Sequence, residues 1–224
     1  MVNVAPIAPI MKIRRINLEI ADRRFEAALA RVHETPEAVY EQGYGERATG
    51  QRALHECACH FFLGDQRGVQ EACGRARVTL EEKTHEYPDN FWFHYSLGQT
   101  YAYLGRKDDA IREGERAVAL APISKDATTG PRLVRNLAVI YALVGEPEAA
   151  IDQIDYLLSI PSQLSVGWLR VHPFWDPLRD HPRFQALLEE IRHELRGSPW
   201  CTPGALELNA STQSPRSGLR TAIP

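Results

Sequence analysis

The sequence predicts an all-α fold of stacked antiparallel helix pairs, and two observations lead to that prediction. First, the stretch from Phe91 to Pro161 repeats itself at an offset of 40 residues, since Leu97-Gly98-x-x-Tyr101-x-x-x-Gly105 aligns with Leu137-Ala138-x-x-Tyr141-x-x-x-Gly145. Second, apolar and small residues recur at helical spacing on both sides of each glycine. A period of this length is typical of a helical repeat array.

Each repeat reads as a helix, a turn at glycine and a second helix. Residues 92–104 have helical periodicity, and Gly105 supplies the left-handed residue that commonly ends a helix. A polar turn over 106–109 leads into a second helix, which Pro122 ends. Two helices joined by so short a turn must lie antiparallel. The small residues of this pair mark where the backbones approach each other: Gly98, Ala110 and Ala117.

These residues resemble the signature of the tetratricopeptide repeat (TPR), a helix pair of about 34 residues. The first unit carries the resemblance in Leu97, Gly98, Tyr101, Gly105, Ala110, Ala117 and Pro122. The second unit keeps Leu137, Tyr141, Gly145 and Ala150, and has Ala138 where glycine is usual. The resemblance implies a TPR-like α-solenoid with clear repeats at about 91–124 and 131–162, and a degenerate repeat at about 50–86 around Gly64.

The ends of the chain differ from the repeats in composition. Residues 12–33 predict one helix or a broken helical pair that covers the start of the array, after a disordered leader over 1–11. Residues 166–196 predict an aromatic cap with a C-terminal capping helix, in which Trp168, Phe174, Trp175 and Phe184 cover the last apolar face. The helical array is therefore expected over 12–196, followed by a disordered tail over 197–224. Whether Met1 or Met11 is the true start stays open.

The cap also extends the resemblance. The block Trp175-Asp176-Pro177-Leu178-Arg179, together with an extra loop over 123–130, resembles the C-terminal TPR region of bacterial serine/threonine kinase, adenylate cyclase or winged-helix regulator proteins. The chain has neither a phosphate-cradling glycine loop nor a kinase catalytic loop. The resemblance therefore implies a bacterial protein without enzymatic activity.

Composition points to a cytoplasmic protein. A net charge of −3 predicts no attraction to nucleic acid or anionic membrane, and no apolar run approaches the length that spans a bilayer. The four cysteines follow no disulfide framework, which suits a reducing cytoplasm: Cys57, Cys59, Cys73 and Cys201.

Two side-chain clusters suggest chemistry, and both have a structural interpretation. In His55-x-Cys57-x-Cys59-His60 the two cysteines point about 200° apart on a helix. They are therefore expected to pack, with Cys73 opposite Cys57, and not to bind metal. Asp176 and Asp180, with His172 and His181, sit beside prolines where caps and turns are expected. We expect no metal and no cofactor; a metal-dependent enzyme on the His/Cys cluster is the third hypothesis.

Binding is better supported, because the first helices of such arrays line a concave surface that takes up protein or peptide partners. Helical phase places eight residues on that surface: Trp92, Tyr95, Gln99, Tyr103, Arg132, Arg135, Asn136 and Val139. Core packing or solvated surface remains the alternative for each residue taken singly. Arg132, Arg135 and Asn136 resemble part of a TPR carboxylate clamp, but Tyr95 stands where its remaining basic residue is expected, so a general aromatic and basic groove is preferred.

The leading hypothesis is a non-catalytic scaffold or adaptor that binds another protein through this groove. The second is a detached sensor region that acts in trans on a signalling kinase, adenylate cyclase or transcription regulator. The identity of the partner and the oligomeric state stay open.

Overall fold

A computed structural model describes residues 7–44 and 48–197 of the chain, which confirm the all-α class: they form helices and contain no β-strand. The helices are α1 (Ile7–Ala21), α2 (Phe25–Glu34), α3 (Glu37–Tyr44), α4 (Gln51–Leu63), α5 (Gln66–Glu86), α6 (Phe91–Tyr103), α7 (Lys107–Leu120), α8 (Gly130–Leu143), α9 (Pro147–Leu158), α10 (Val166–Val171), a 3-10 helix (Pro173–Leu178) and α11 (Pro182–Gly197). None of these helices is both long and apolar enough to cross a bilayer.

Glycine turns set the direction of the central helices. Gly64, Gly105 and Gly145 have left-handed φ angles of 72°, 72° and 79°, as the sequence predicts for helix ends. After Gly105, for example, the Arg106 N–H donates to the Tyr101 carbonyl over 2.9 Å. The next helix begins within two or three residues, so α4/α5, α6/α7 and α8/α9 pack as antiparallel pairs.

The close approach predicted within the first clear repeat is confirmed at Gly98. A Cβ on Gly98 would lie 3.1 Å from the Ala110 carbonyl oxygen and 3.1 Å from the Gly114 nitrogen, both in α7. Ala110 itself is fully buried at this contact. Because neither backbone atom can rotate away, α6 and α7 approach this closely only with glycine at position 98.

The central helices form two layers. Consecutive helices from α4 to α9 pack against each other, and α4, α6 and α8 also contact one another in series. These three helices therefore make an inner layer, while α5, α7 and α9 lie on its outer side. The packing places one face of each inner helix on a common surface.

The N-terminal helices form a separate cover. Helices α1 and α2 confirm the broken helical pair, although α1 begins at Ile7, inside the segment expected to be a leader. Two residues after the end of α1, Arg23 adopts a left-handed φ of 60° without being glycine. The Arg23 N–H donates to the Ile20 carbonyl and the Arg24 N–H to the Glu19 carbonyl, a Schellman helix end. Residues 1–6 of the leader lie outside the described residues.

The C-terminal cap packs on α8 and α9. Trp175 and Phe184 are fully buried in the core that α8, α9 and the cap share, as the lid prediction requires, while Trp168 and Phe174 are partly exposed. His172 is the N-cap of the 3-10 helix, and its Nδ1 accepts from the Phe174 N–H. The predicted tail beyond Gly197 lies outside the described residues.

The expectation that the cysteines form no disulfide is wrong. Cys57 of α4 and Cys73 of α5 form a disulfide across the pair, with their Cα atoms 5.1 Å apart. The expected position of Cys73 opposite Cys57 is confirmed, because the glycine turn at Gly64 folds α5 back on α4. Cys59 is buried and free, and Cys201 lies outside the described residues.

Candidate functional site

The inner layer opens onto a cavity of about 550 Å³. Residues three or four positions apart on each inner helix line it, so each helix presents a single face. They are Gln51, Leu54, His55 and Ala58 of α4; Trp92, Tyr95, Gln99 and Tyr103 of α6; and Arg132 and Arg135 of α8. The cavity is therefore a property of the concave side of the array.

The two end segments complete the walls of this cavity. Helix α1 contributes Arg14, Asn17, Leu18, Ile20 and Ala21; α3 contributes Tyr44; and the cap contributes Trp168, His172 and Phe174. The sequence alone does not predict that these residues line the site, although it predicts Trp168 and Phe174 as part of the cap. The spacing of Arg14, Asn17, Leu18 and Ala21 indicates that they share one face of α1. Only tertiary packing turns that face towards α4 and α6.

The end segments also meet each other beside the cavity. Arg23, two residues after the cavity-lining Ala21, donates two hydrogen bonds of 2.7 and 2.6 Å to Asp176 of the 3-10 helix. Nearby, the Phe62 ring stacks on Phe25 at 5.3 Å and contacts Phe174 at 5.8 Å. The first and last helical segments thus join at one edge of the inner layer.

Two tryptophans hold the arginines of α8. The Arg132 guanidinium lies 5.1 Å from the ring centre of Trp92, and that of Arg135 lies 5.2 Å from the ring centre of Trp168. Each contact is a cation–π interaction, which favours a defined guanidinium position while leaving its N–H donors available. Because Arg132 and Arg135 are three positions apart, they project from the same face of α8.

The cavity is strongly basic. Arg14, Arg132 and Arg135 line it, whereas none of its described lining residues is an aspartate or glutamate. These three arginines also form no ion pair with any described residue, although ion pairs are frequent elsewhere on the surface. The whole chain has a net charge of −3, so the positive charge here is a local feature.

The two histidines of the cavity are neutral. Burial lowers the pKa of His172 to about 3, and the charge of Arg135 acts in the same direction. Burial likewise lowers the pKa of His55 to about 4, although its hydrogen bond to the Gln51 carbonyl opposes the shift. Because His172 Nδ1 accepts from the Phe174 N–H over 3.3 Å, its proton is on Nε2. Nε2 donates to no described residue.

Gln99 presents a polar side chain to the cavity. It lines the cavity on α6, and its amide forms no hydrogen bond to another described residue. Gln99 and His172 therefore leave hydrogen-bonding groups available at the cavity.

The structure brings six of the eight predicted site residues to the cavity, all four on α6 and both arginines on α8. Asn136 is 3% exposed and instead braces the layer, since its amide donates to the Tyr95 carbonyl over 3.2 Å. Val139 packs in the core with Leu169 and Trp175. The cap covers the second half of the inner face of α8, which is why the cavity ends before Val139.

The His/Cys cluster is not assembled as a metal site. Cys57 is in the disulfide, and burial raises the pKa of the Cys59 thiol to about 12. His55 lies 2.8 Å from the Gln51 carbonyl through Nδ1 and 3.1 Å from the Asn17 amide through Nε2, so it connects α4 to α1. No group of three His, Cys, Asp or Glu side chains suited to a metal occurs among the described residues.

No protein-family model matches this chain, and comparisons with curated proteins and with solved structures find no match either.

Proposed function

We propose that this chain is a non-catalytic, TPR-like binding protein that recognises another protein through the aromatic and basic surface of its inner layer. The observation that supports this proposal is the cavity of the inner layer, where Trp92, Tyr95, Arg132 and Arg135 converge and no aspartate or glutamate is found among the described lining residues. Exposed guanidinium and aromatic groups are the side chains on which protein interfaces most often depend. The bacterial assignment belongs to the same proposal and rests on the TPR resemblance. The cytoplasmic assignment belongs to it as well and rests on net charge and the lack of a long apolar run, not on the cysteines, because Cys57 and Cys73 form a disulfide.

The same chemistry indicates the kind of partner segment. A guanidinium without a counter-charge favours a carboxylate or phosphate on the partner, because charge-assisted hydrogen bonds are stronger than neutral ones. The indole rings of Trp92 and Trp168 offer apolar faces beside those charges. An acidic segment that carries an aromatic side chain fits this surface best.

A second candidate is a sensor region that acts in trans on a signalling kinase, adenylate cyclase or transcription regulator. The observation that favours it is the junction of the end segments at Arg23 and Asp176. A binding surface in contact with both ends of the fold can change the position of those ends when a ligand binds. A kinase, cyclase or winged-helix domain encoded beside this gene would support it, and unrelated neighbouring genes would count against it.

The first test is affinity capture from native lysate with three forms of the full chain. The site variant is Tyr95→Ala/Arg135→Ala, and the matched control is Tyr156→Ala/Arg67→Ala, which removes the same residue types from exposed positions on α9 and α5. We expect a protein that the wild type and the control retain and the site variant loses, with direct binding then measured on the purified pair. Equal retention by all three forms would place binding elsewhere. Circular dichroism and melting temperature check that each variant remains folded.

A further inference from the structure

We propose that the cavity encloses a small organic anion with a planar aromatic ring, of the class of aromatic carboxylates and aryl phosphates. The inference rests on the proposed function only in taking this cavity as the binding site; it assigns the occupant to a small molecule and not to a polypeptide segment. The charge, the polar and aromatic side chains and the volume of the cavity support it.

Charge selects an anion. Arg14, Arg132 and Arg135 bring three guanidinium groups to a cavity that no described aspartate or glutamate lines. Guanidinium groups donate two parallel hydrogen bonds to a carboxylate or a phosphate, the geometry that such an anion accepts best.

Two polar groups that face the cavity select a ligand with further polar atoms. The Gln99 amide can donate to an oxygen or accept from a hydroxyl of the ligand. His172 presents its Nε2–H as a neutral donor. A small number of polar groups on an otherwise apolar wall is the arrangement that fixes the orientation of a bound small molecule.

The aromatic walls select a planar ring. The rings of Trp92, Tyr95, Tyr103, Trp168 and Phe174 line the cavity on the α6 side and on the cap side. Trp92 and Tyr95 pack edge to face at 5.8 Å, and Trp168 and Phe174 do so at 6.3 Å. Aromatic walls of this kind favour a planar aromatic ligand, because contacts between rings add to the gain from apolar burial.

The volume of the cavity suits a small molecule. The volume of about 550 Å³ lies within the range of about 300–1,000 Å³ typical of small-molecule sites. Helix α1 and the cap both contribute walls to it, and the Arg23–Asp176 pair joins these two segments.

Isothermal titration calorimetry on the full chain tests the proposal with five probes. Indole-3-acetate and phenyl phosphate are the two aromatic anions, and they distinguish carboxylate from phosphate. Indole-3-acetamide has the same shape as the first without its charge, while acetate and inorganic phosphate have the charge without the ring. We expect at least one aromatic anion to bind about tenfold more tightly than the amide and than either simple anion.

Variants locate the binding within the cavity. Arg135→Gln should weaken binding of the aromatic anion by about tenfold or more. Arg14→Gln should weaken it as well, and it guards against misfolding because Arg14 is exposed on α1. The matched control is Arg67→Gln, which changes an arginine paired with Glu71 on α5 and should leave the affinity unchanged.

Two results would overturn the proposal: neither aromatic anion binds the wild type, or both arginine variants bind it as well as the wild type does. If no aromatic anion binds while the protein partner found by affinity capture is still lost on changing Tyr95 and Arg135, a polypeptide is the occupant. The proposed function then stands and this inference fails. If an aromatic anion binds and no protein partner is found, this inference stands and the proposed function fails.

Discussion

Arg23 and Asp176 form a bidentate ion pair across 153 positions of sequence, with N–O distances of 2.7 and 2.6 Å. Burial opposes the charge of Asp176, but hydrogen bonds from Arg23 and Arg179 outweigh it and lower the pKa of that carboxyl. Both side chains are substantially exposed, so the pair contributes about 0–1 kcal/mol to stability. Its importance lies in which segments it joins.

Replacing Arg23 by two different residues separates the ion pair from backbone strain. Arg23→Gly and Arg23→Ala both remove the guanidinium, but only glycine adopts a φ of 60° without strain. We expect the glycine variant to unfold in urea with a free energy about 1 kcal/mol higher than that of the alanine variant. Asp176→Asn, which removes the charge alone, should change stability by less than about 1 kcal/mol. Equal stability of the two Arg23 variants would contradict the left-handed helix end.

Gly98 tests the contact between α6 and α7. Gly98→Ala introduces a Cβ that meets two backbone atoms of α7 at 3.1 Å, so we expect a loss of about 1–3 kcal/mol in the free energy of unfolding. The matched control is Gly74→Ala on α5, where a Cβ meets nothing within 4 Å. That change should stabilise the protein by about 0.5–1 kcal/mol, because alanine is the better helix former. Chemical denaturation measures both, and a stabilising Gly98→Ala would refute the close packing.

The Cys57–Cys73 disulfide makes stability depend on redox conditions. It closes a loop across 16 positions, which corresponds to about 3 kcal/mol. We expect dithiothreitol to lower the melting temperature of the wild type and to leave Cys57→Ala/Cys73→Ala unaffected. Cys59→Ala serves as the control that keeps the reductant response. Peptide mapping without reductant should recover Cys57 linked to Cys73, and recovery of both as free thiols would contradict the disulfide.

His94 contributes stability at acidic pH that is lost as the pH rises. Burial lowers the pKa of His94, but its hydrogen bond to Glu113 and its bond to the Pro88 carbonyl outweigh burial and raise the pKa above 6.5. Both ring nitrogens face acceptors, at 2.6 and 2.9 Å, so the imidazolium is the bonded form. This contribution is complete below pH 6.5 and is lost as pH rises through the raised pKa. The difference in unfolding free energy between wild type and His94→Gln should therefore shrink with rising pH; a constant difference would contradict this.

His55 gives a pH dependence of the opposite sign. Its pKa falls from 6.5 to about 4 on folding, because burial penalises the charged ring. The stability associated with neutral His55 is present above pH 6.5 and is lost as pH falls towards 4. His55→Gln should therefore lose less stability than the wild type on acidification through this range. Parallel pH profiles of the two proteins would argue against a buried neutral ring.

The sequence was sufficient where local chemistry decides the structure. Gly105 and Gly145 end helices because they adopt left-handed φ angles, and the repeated pattern around them identifies the paired helices and the inner face of α6. Arg23 occupies the same kind of helix end as these glycines, but arginine carries no signal for it. The end of α1 was therefore not located from the sequence alone.

The rest depends on tertiary packing. The sequence places Cys73 opposite Cys57, but that they form a disulfide depends on how closely α4 and α5 pack. Val139 leaves the cavity only because the cap covers that part of α8. The cavity walls contributed by α1 and the cap depend on how two distant segments are placed. Periodicity within a helix specifies a face, but not what lies opposite that face.

The Arg23–Asp176 junction also bears on how the fold comes apart. In an open stack of helix pairs each unit contacts only its neighbours, so unfolding can begin at one end and stop partway. Here the first helices contact the last ones, through Arg23 with Asp176 and through Phe62 with Phe25 and Phe174. Fraying of one terminus removes contacts from the other, so the two ends belong to a single cooperative unit. The contacts between the ends also raise the mean sequence separation of native contacts. Such a chain should fold more slowly than an open stack of equal length.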